Sequence, residues 1–204
     1  VDDAHDVVEV HAVDREAGEP RPRRLRHEVG LSEAMILSTC NRVEVYGRAP
    51  ESVAEPVAAF IADFHGRSLE ELDPHLYRHE GDTAVRHAFR VAASLDSMVL
   101  GESQIFGQVK QAYESAEEAG ALGSVLTTLR NRSFAAAKRA RTETAIGRNA
   151  VSVSHVAVEM ARKIFGDLRD RSVLLVGAGK MSELAARQMV KDGERAAVLG
   201  GRTM

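Results

Sequence analysis

The chain has 204 residues, 44% of them hydrophobic and 28% charged, with a formal net charge of −3, the balance of an ordinary globular protein of one large or two small domains. That charge excludes a wholly basic nucleic-acid binder, so any RNA contact falls to a local patch, and one cysteine excludes an intramolecular disulfide and fits a reducing compartment. No apolar stretch approaches the roughly 20 residues of a membrane span and no signal peptide is visible, so a cytoplasmic protein without membrane contact is expected. The start at Val1 rather than Met suggests a fragment or a processed chain.

Residues 7–13 alternate as a strand does, and residues 14–26, with Gly18, Pro20, Pro22 and five arginines, read as a loop. Two β-like runs, 35–38 and 43–46, flank the segment Ser38-Thr39-Cys40-Asn41-Arg42. Residues 52–64 have helical period, with Val53, Val57, Phe60, Ile61 and Phe64 on one face. Residues 75–78 read as a short strand, and Asp82 is expected to cap a helix whose apolar positions are Val85, Phe89, Val91 and Ala92. From 101 to about 165 the pattern is helical, punctuated by Gly107, Gly120, Gly123 and Gly147, with Gly166 just beyond it. A short apolar strand over 172–176, a Gly-Ala-Gly turn, a helix over 182–190 and a second strand over 196–199 make a βαβ unit. The expected organisation is an α+β head over 1–100, a helical connector over 101–168 and the opening of an α/β domain over 169–204. A doubly wound nucleotide-binding domain takes well over ~100 residues, so the last of these is expected to be incomplete.

Several groups carry candidate chemistry. Cys40 lies at a strand exit beside Arg42, whose guanidinium would favour a nucleophilic thiolate; the alternative is a small buried hydrophobe. Gly177-x-Gly179-x-x-Ser182, between strand and helix, has the form of a dinucleotide-binding turn with its third glycine replaced; a plain βα turn uses the same glycines. Arg202, beyond the second strand, suits the 2′-phosphate of NADP or is a solvated loop arginine. Arg130, Lys138 and Arg141 are spaced to share a helix face, as a phosphate-binding strip does, or are the charges that surface helices commonly carry. Ser97, Glu102, Ser103 and Gln104 offer bonds to an amino acid's ammonium and carboxylate, or make a turn and a helix cap; Gln104 and Gln108 share a face. His87 by itself reads as a structural histidine, and no metal site is expected.

Taken together, LSTCNRVEVY (37–46), RVAASLDSMVLGESQIFGQVKQAY (90–113), RTETAIGRNAVSVSHVAVEMARKIF (141–165) and LLVGAGKMSELA (174–185) resemble the glutamyl-tRNA reductase family, in its order and spacing. The resemblance implies a ferredoxin-like α+β head, a long spinal helix (about 148–166) and the start of a Rossmann-type NADP-binding domain. It implies NADPH-dependent reduction of glutamyl-tRNA(Glu) to glutamate-1-semialdehyde, the first step of tetrapyrrole synthesis. Cys40 would be the nucleophile that forms a thioester, and His87 matches a histidine important to activity. Thr39, Asn41 and Arg42, completed by Ser97, Glu102, Ser103, Gln104 and Gln108, would hold the glutamyl group. Gly177, Ala178, Gly179, Lys180, Met181 and Ser182, with Arg202, would hold NADPH. A homodimer in the full-length form and a partnership with glutamate-1-semialdehyde aminomutase follow from family habit.

Two departures stand out. The Thr-Ala-Pro loop that follows the family's first strand is absent, with His11 expected to stand in for its histidine, and Ser103 occupies a position where proline is common. A non-reducing glutamyl-tRNA-binding module, or an acyl-transfer relative, is the competing expectation.

Overall fold

The computed structural model describes residues 5–10, 21–39, 42–97, 99–147, 153–168, 172–176, 180–191 and 195–199. Four strands, β1 (His5–Val10), β2 (Glu33–Ser38), β3 (Val43–Arg48) and β4 (Arg78–His79), form one sheet in the order β2-β3-β1-β4, antiparallel at every pairing. Residues 11–13 of the expected first strand lie outside the described residues. The expected strand over 75–78 is instead a 3₁₀ turn, Asp73–His75, followed by β4, because Pro74 supplies no ladder donor and starts a turn.

The region read as a loop through residue 26 contains a helix, α1 (Arg21–Val29). Its proline sits in the first turn, where a missing N–H costs no intrahelical bond, and its Leu25 is completely buried. Helix α2 (Ala54–Phe64) packs beside it, and together they cover one face of the sheet through Leu25, Leu31, Val43, Val45, Val57 and Ile61. A short helix, α3 (Leu69–Leu72), precedes the 3₁₀ turn.

The other face of the sheet is covered by α4 (Gly81–Ala92), α5 (Ser103–Glu118) and α6 (Ser124–Glu143), which meet Met35, Leu37 and Tyr46 through Val91, Ile105, Val109, Tyr113 and Leu126. Asp82 lies inside the first turn of α4 rather than capping it. The cap position belongs to Glu80, whose N–H donates to Thr83 Oγ1 at 3.1 Å. The start of α6 is held by Glu33 of β2, whose buried carboxylate accepts from Val125 N at 3.1 Å and Leu126 N at 2.7 Å. Gly123 is required there, since a Cβ would fall 2.5 Å from the Glu33 carboxyl. With helices on both faces, a polar side chain on β3 is enclosed whichever way it points.

Helix α7 (Val153–Phe165) occupies most of the expected spinal helix, the residues 148–152 lying outside the described set. Strands β5 (Ser172–Val176) and β6 (Arg195–Leu199) pair in parallel, Leu174 against Ala197, and α8 (Lys180–Lys191) connects them. Leu174 and Val176 remain exposed. No helix among the described residues is long and apolar enough to cross a membrane.

Candidate active site

Where β2 and β3 end, Ser38 pairs with Val43 and the two chains turn. Thr39 and Arg42 close that turn: Thr39 N donates to Arg42 O at 2.9 Å, and Thr39 Oγ1 donates to the same oxygen at 2.9 Å and accepts from Arg42 N at 3.0 Å. Thr39 is therefore committed to shaping the turn. Cys40 and Asn41, between them in the chain, lie outside the described residues.

Behind this turn, Glu44 of β3 is fully buried and gathers three hydrogen-bonding partners and one ion-paired guanidinium. Tyr77 OH donates to its Oε1 at 2.6 Å, His87 Nε2 lies 2.9 Å and Arg42 Nε 2.8 Å from the same oxygen, and Tyr46 OH donates to Oε2. Burial, and then the Glu44 charge, push the Tyr46 hydroxyl well above the usual phenol range, so it stays a donor. Asp96 completes the cluster from the loop after α4, 3.7 Å from His87 Nδ1 and 3.5 Å from Arg42 Nη1. His87 is itself buried on α4, and the His79 ring lies 4.8 Å from it between centroids. Burial, and then the neighbouring His87, lower the His79 basicity.

With Nε2–H assigned to the Glu44 carboxylate, His87 Nδ1 is the ring nitrogen on the Asp96 side, 3.7 Å from Asp96 Oδ2.

The remaining substrate candidates follow Asp96 along the chain. Ser97 Oγ donates to Val99 O at 2.6 Å, an internal bond of the loop. Glu102 is 9% exposed, its carboxyl has no hydrogen-bond or ionic partner among the described residues, and burial raises its proton affinity. Ser103 opens α5, and its side chain is outside the described set; Gln104 and Gln108 lie half-buried one turn apart on that helix. A cavity of about 390 Å³ lies between β3, α4 and α6, its described lining including Tyr46, Phe89, Leu126 and Leu129 but neither Arg42 nor His87.

Of the cofactor candidates, Gly177, Ala178, Gly179 and Arg202 lie outside the described residues, as do the side chains of Lys180 and Met181, while Ser182 is half-buried in the first turn of α8. The expected basic strip is corrected by the structure. Arg130 pairs with Glu117 of α5 at 3.0 Å and Arg141 turns inward to Ser94, leaving Lys138 exposed without them. Two of the three charges thus bridge α6 to its neighbours rather than forming a free strip.

Glu44, Tyr77 and Asp96 escaped the sequence reading. An acid in a strand ordinarily marks the wet face, and only a sheet covered on both sides makes it a buried hub. The available signal was chemical: Glu44 stands four positions after the lone cysteine, in a strand otherwise Val-x-Val-Tyr.

Residues 4–144 match the family described as glutamyl-tRNA(Glu) reductase, N-terminal domain, and residues 159–204 match the family described as shikimate/quinate 5-dehydrogenase, consistent with a Rossmann-type start at β5-α8-β6. The chain is 55% identical to the glutamyl-tRNA reductase of Syntrophotalea carbinolica over 86% of its own length and 40% of that protein's. It is 53% identical to that of Geobacter sulfurreducens (85% and 40%) and 55% identical to that of Solibacter usitatus (85% and 42%). The chain thus spans about two-fifths of these curated relatives. The solved glutamyl-tRNA reductase of Methanopyrus kandleri superposes with a TM-score of 0.65 at 34% identity, over 99% of this chain and 50% of that one. By its matched domain and its shared fold, the chain belongs to the glutamyl-tRNA reductase family.

Proposed function

We propose that the chain carries the glutamyl-recognising, thioester-forming part of an enzyme that reduces glutamyl-tRNA(Glu) to glutamate-1-semialdehyde at the start of tetrapyrrole biosynthesis. The observation that carries this reading is the buried Glu44 carboxylate, which joins Arg42, beside the cysteine turn, to His87 on α4.

In this reading Cys40 is the nucleophile. Its thiol proton passes to His87 Nδ1 as sulfur attacks the aminoacyl carbonyl. The carbon–sulfur bond forms, the ester carbon–oxygen bond breaks, and His87 returns the proton to the ribose oxygen of the departing tRNA. Arg42 and Asn41 flank the acyl group, Thr39 sets the turn, and Ser97, Glu102, Ser103, Gln104 and Gln108 line the glutamyl pocket. The sheet order β2-β3-β1-β4, antiparallel throughout, supports a ferredoxin-like head.

The βαβ unit suits NADPH, because its turn leaves a parallel strand and enters α8, the place where a pyrophosphate meets a helix N-terminus. Gly177 to Gly179 would admit the pyrophosphate, with Lys180, Met181, Ser182 and Arg202 around it. When bound, NADPH supplies the hydride that reduces the thioester. Residues 1–100 are assigned to glutamate recognition, 101–168 to the helical segment leading through α7, and 169–204 to the start of the cofactor domain. Dimerisation, the aminomutase partnership and a cytoplasmic site belong to the same reading.

The test is transfer of radiolabelled glutamate from charged tRNA onto the protein. Label on wild type and none on Cys40→Ser supports the thioester. Binding of charged tRNA that is equal in wild type and Cys40→Ser, with no label on either, supports the non-reducing module instead.

A further inference from the structure

The loop that carries Asp96, Ser97 and Glu102 is closed at its base by its own backbone. Gly101 N donates to Ser94 O at 2.9 Å, and Ser94 Oγ donates to the Glu102 carbonyl at 2.7 Å. Ser94 is completely buried and holds φ at +59°, in the left-handed region, which costs a serine on the order of 1 kcal/mol. Such a conformation persists only where its surroundings hold it.

What holds it is Arg141, from the last turn of α6. Its Nη2 donates to Ser94 Oγ at 3.0 Å and to the Glu102 carbonyl at 3.1 Å, and its guanidinium lies 5.2 Å from the Phe106 ring centroid. Arg141 Nε is buried without a hydrogen-bond partner, and no carboxylate pairs with this arginine among the described residues. On the other side the 3₁₀ turn Ala145–Gly147 walls the loop, since a Cβ on Gly101 would lie 2.4 Å from the Ile146 carbonyl oxygen.

The pairing is informative for what it omits. Arg141 reaches Glu102, whose carboxyl has no partner among the described residues, and takes its backbone carbonyl instead. A structural ion pair would have neutralised both charges. Here the cation is spent on backbone geometry and the Glu102 carboxyl is left available to an outside cation.

We propose that Arg141 is a positioning residue of the glutamyl site, fixing the 94–102 loop so that the Glu102 carboxyl is presented to the α-ammonium group of the aminoacyl ester. This rests on the function proposed above.

The test compares protein acylation from glutamyl-tRNA and from N-acetylglutamyl-tRNA, whose ammonium is masked, in wild type, Glu102→Gln, Arg141→Met, Arg141→Lys and the Glu102→Gln/Arg141→Met pair. Wild type is expected to prefer the free ammonium. Arg141→Met and Glu102→Gln should each raise KM for glutamyl-tRNA about tenfold, the loss of one hydrogen bond to a charge. The N-acetyl substrate should be little affected, and the double variant should be no worse than either single one. Arg141→Lys should keep part of the preference. Equal losses on both substrates, or an unchanged preference in Arg141→Met, would overturn the proposal as a merely structural effect. If Arg141→Met does not fold by circular dichroism, Arg141→Lys decides by the same ratio, an unchanged preference again counting against it. Absence of label on wild type from either substrate overturns the functional reading itself and the proposal with it.

Discussion

Glu44 Oε1 and His87 Nε2 lie 2.9 Å apart although 43 residues separate them in the chain. The same oxygen takes Arg42 Nε at 2.8 Å, so one buried carboxylate ties the start of β3 to the middle of α4. The contact orients an imidazole and neutralises a guanidinium at a completely buried carboxylate. Its loss is expected to be felt in both stability and chemistry.

Glu44→Ala should lower the unfolding free energy by about 3–5 kcal/mol, because Arg42 and His87 lose the buried carboxylate between them and Arg42 keeps only the longer contact to Asp96. Urea denaturation measures this. Glu44→Gln retains volume and should remain folded, yet acylation from glutamyl-tRNA should fall by about 100-fold, since His87 loses the carboxylate that fixes its tautomer. A Glu44→Gln protein acylated at the wild-type rate would remove His87 from the proposed proton path.

The partnerless carboxyl of Glu102 gives a pH signature. Burial raises its proton affinity in the folded chain, so the native state holds this proton to higher pH than the unfolded chain does. The stability it contributes is complete below the unfolded value and is lost as pH rises through the folded one. Glu102→Gln, neutral at every pH, should therefore raise the melting temperature near pH 7, with the gain vanishing in acid, while acylation weakens. Parallel melting curves at pH 4 and pH 7 check the sign.

His79 works in the opposite direction. Burial and the nearby His87 disfavour its charged form, so acidification through the ordinary imidazole range must force a proton onto a site that resists it. The stability that depends on neutral His79 is present above the unfolded value and is lost as pH falls through the folded one. His79→Phe keeps a ring against Tyr77 and His87 and should flatten the pH dependence of stability between about pH 5 and 7. Unfolding followed across that range would show an unchanged slope if His79 were not responsible.

The junction of Glu33 with α6 is a separate structural test. Glu33→Ala removes the acceptor for Val125 N and Leu126 N and should cost about 1–2 kcal/mol. Gly123→Ala drives a methyl against the same carboxyl and should also destabilise. In the double variant the clash disappears with the carboxyl, so the two losses should be less than additive in thermal unfolding.

Local pattern made much of this architecture readable beforehand. The helix over 54–64, the paired strands either side of the cysteine turn, the long helical stretch and the βαβ unit all follow from side-chain period and turn residues, which act over a few positions at a time. Helix α1 was missed because its proline and arginines argue for a loop locally, and the burial of Leu25 against α2 and the sheet overrides them. The hub around Glu44 and the inward turn of Arg141 could not be read from any window. Both depend on which elements pack together. A carboxylate becomes a buried acceptor only when β3 is covered on both faces, and an arginine becomes a loop clamp only when α6 lies against the turn after α4. The sequence alone determined most of the elements and the family signature. Long-range packing decided which charges are desolvated, and so which of them are in a position to do chemistry.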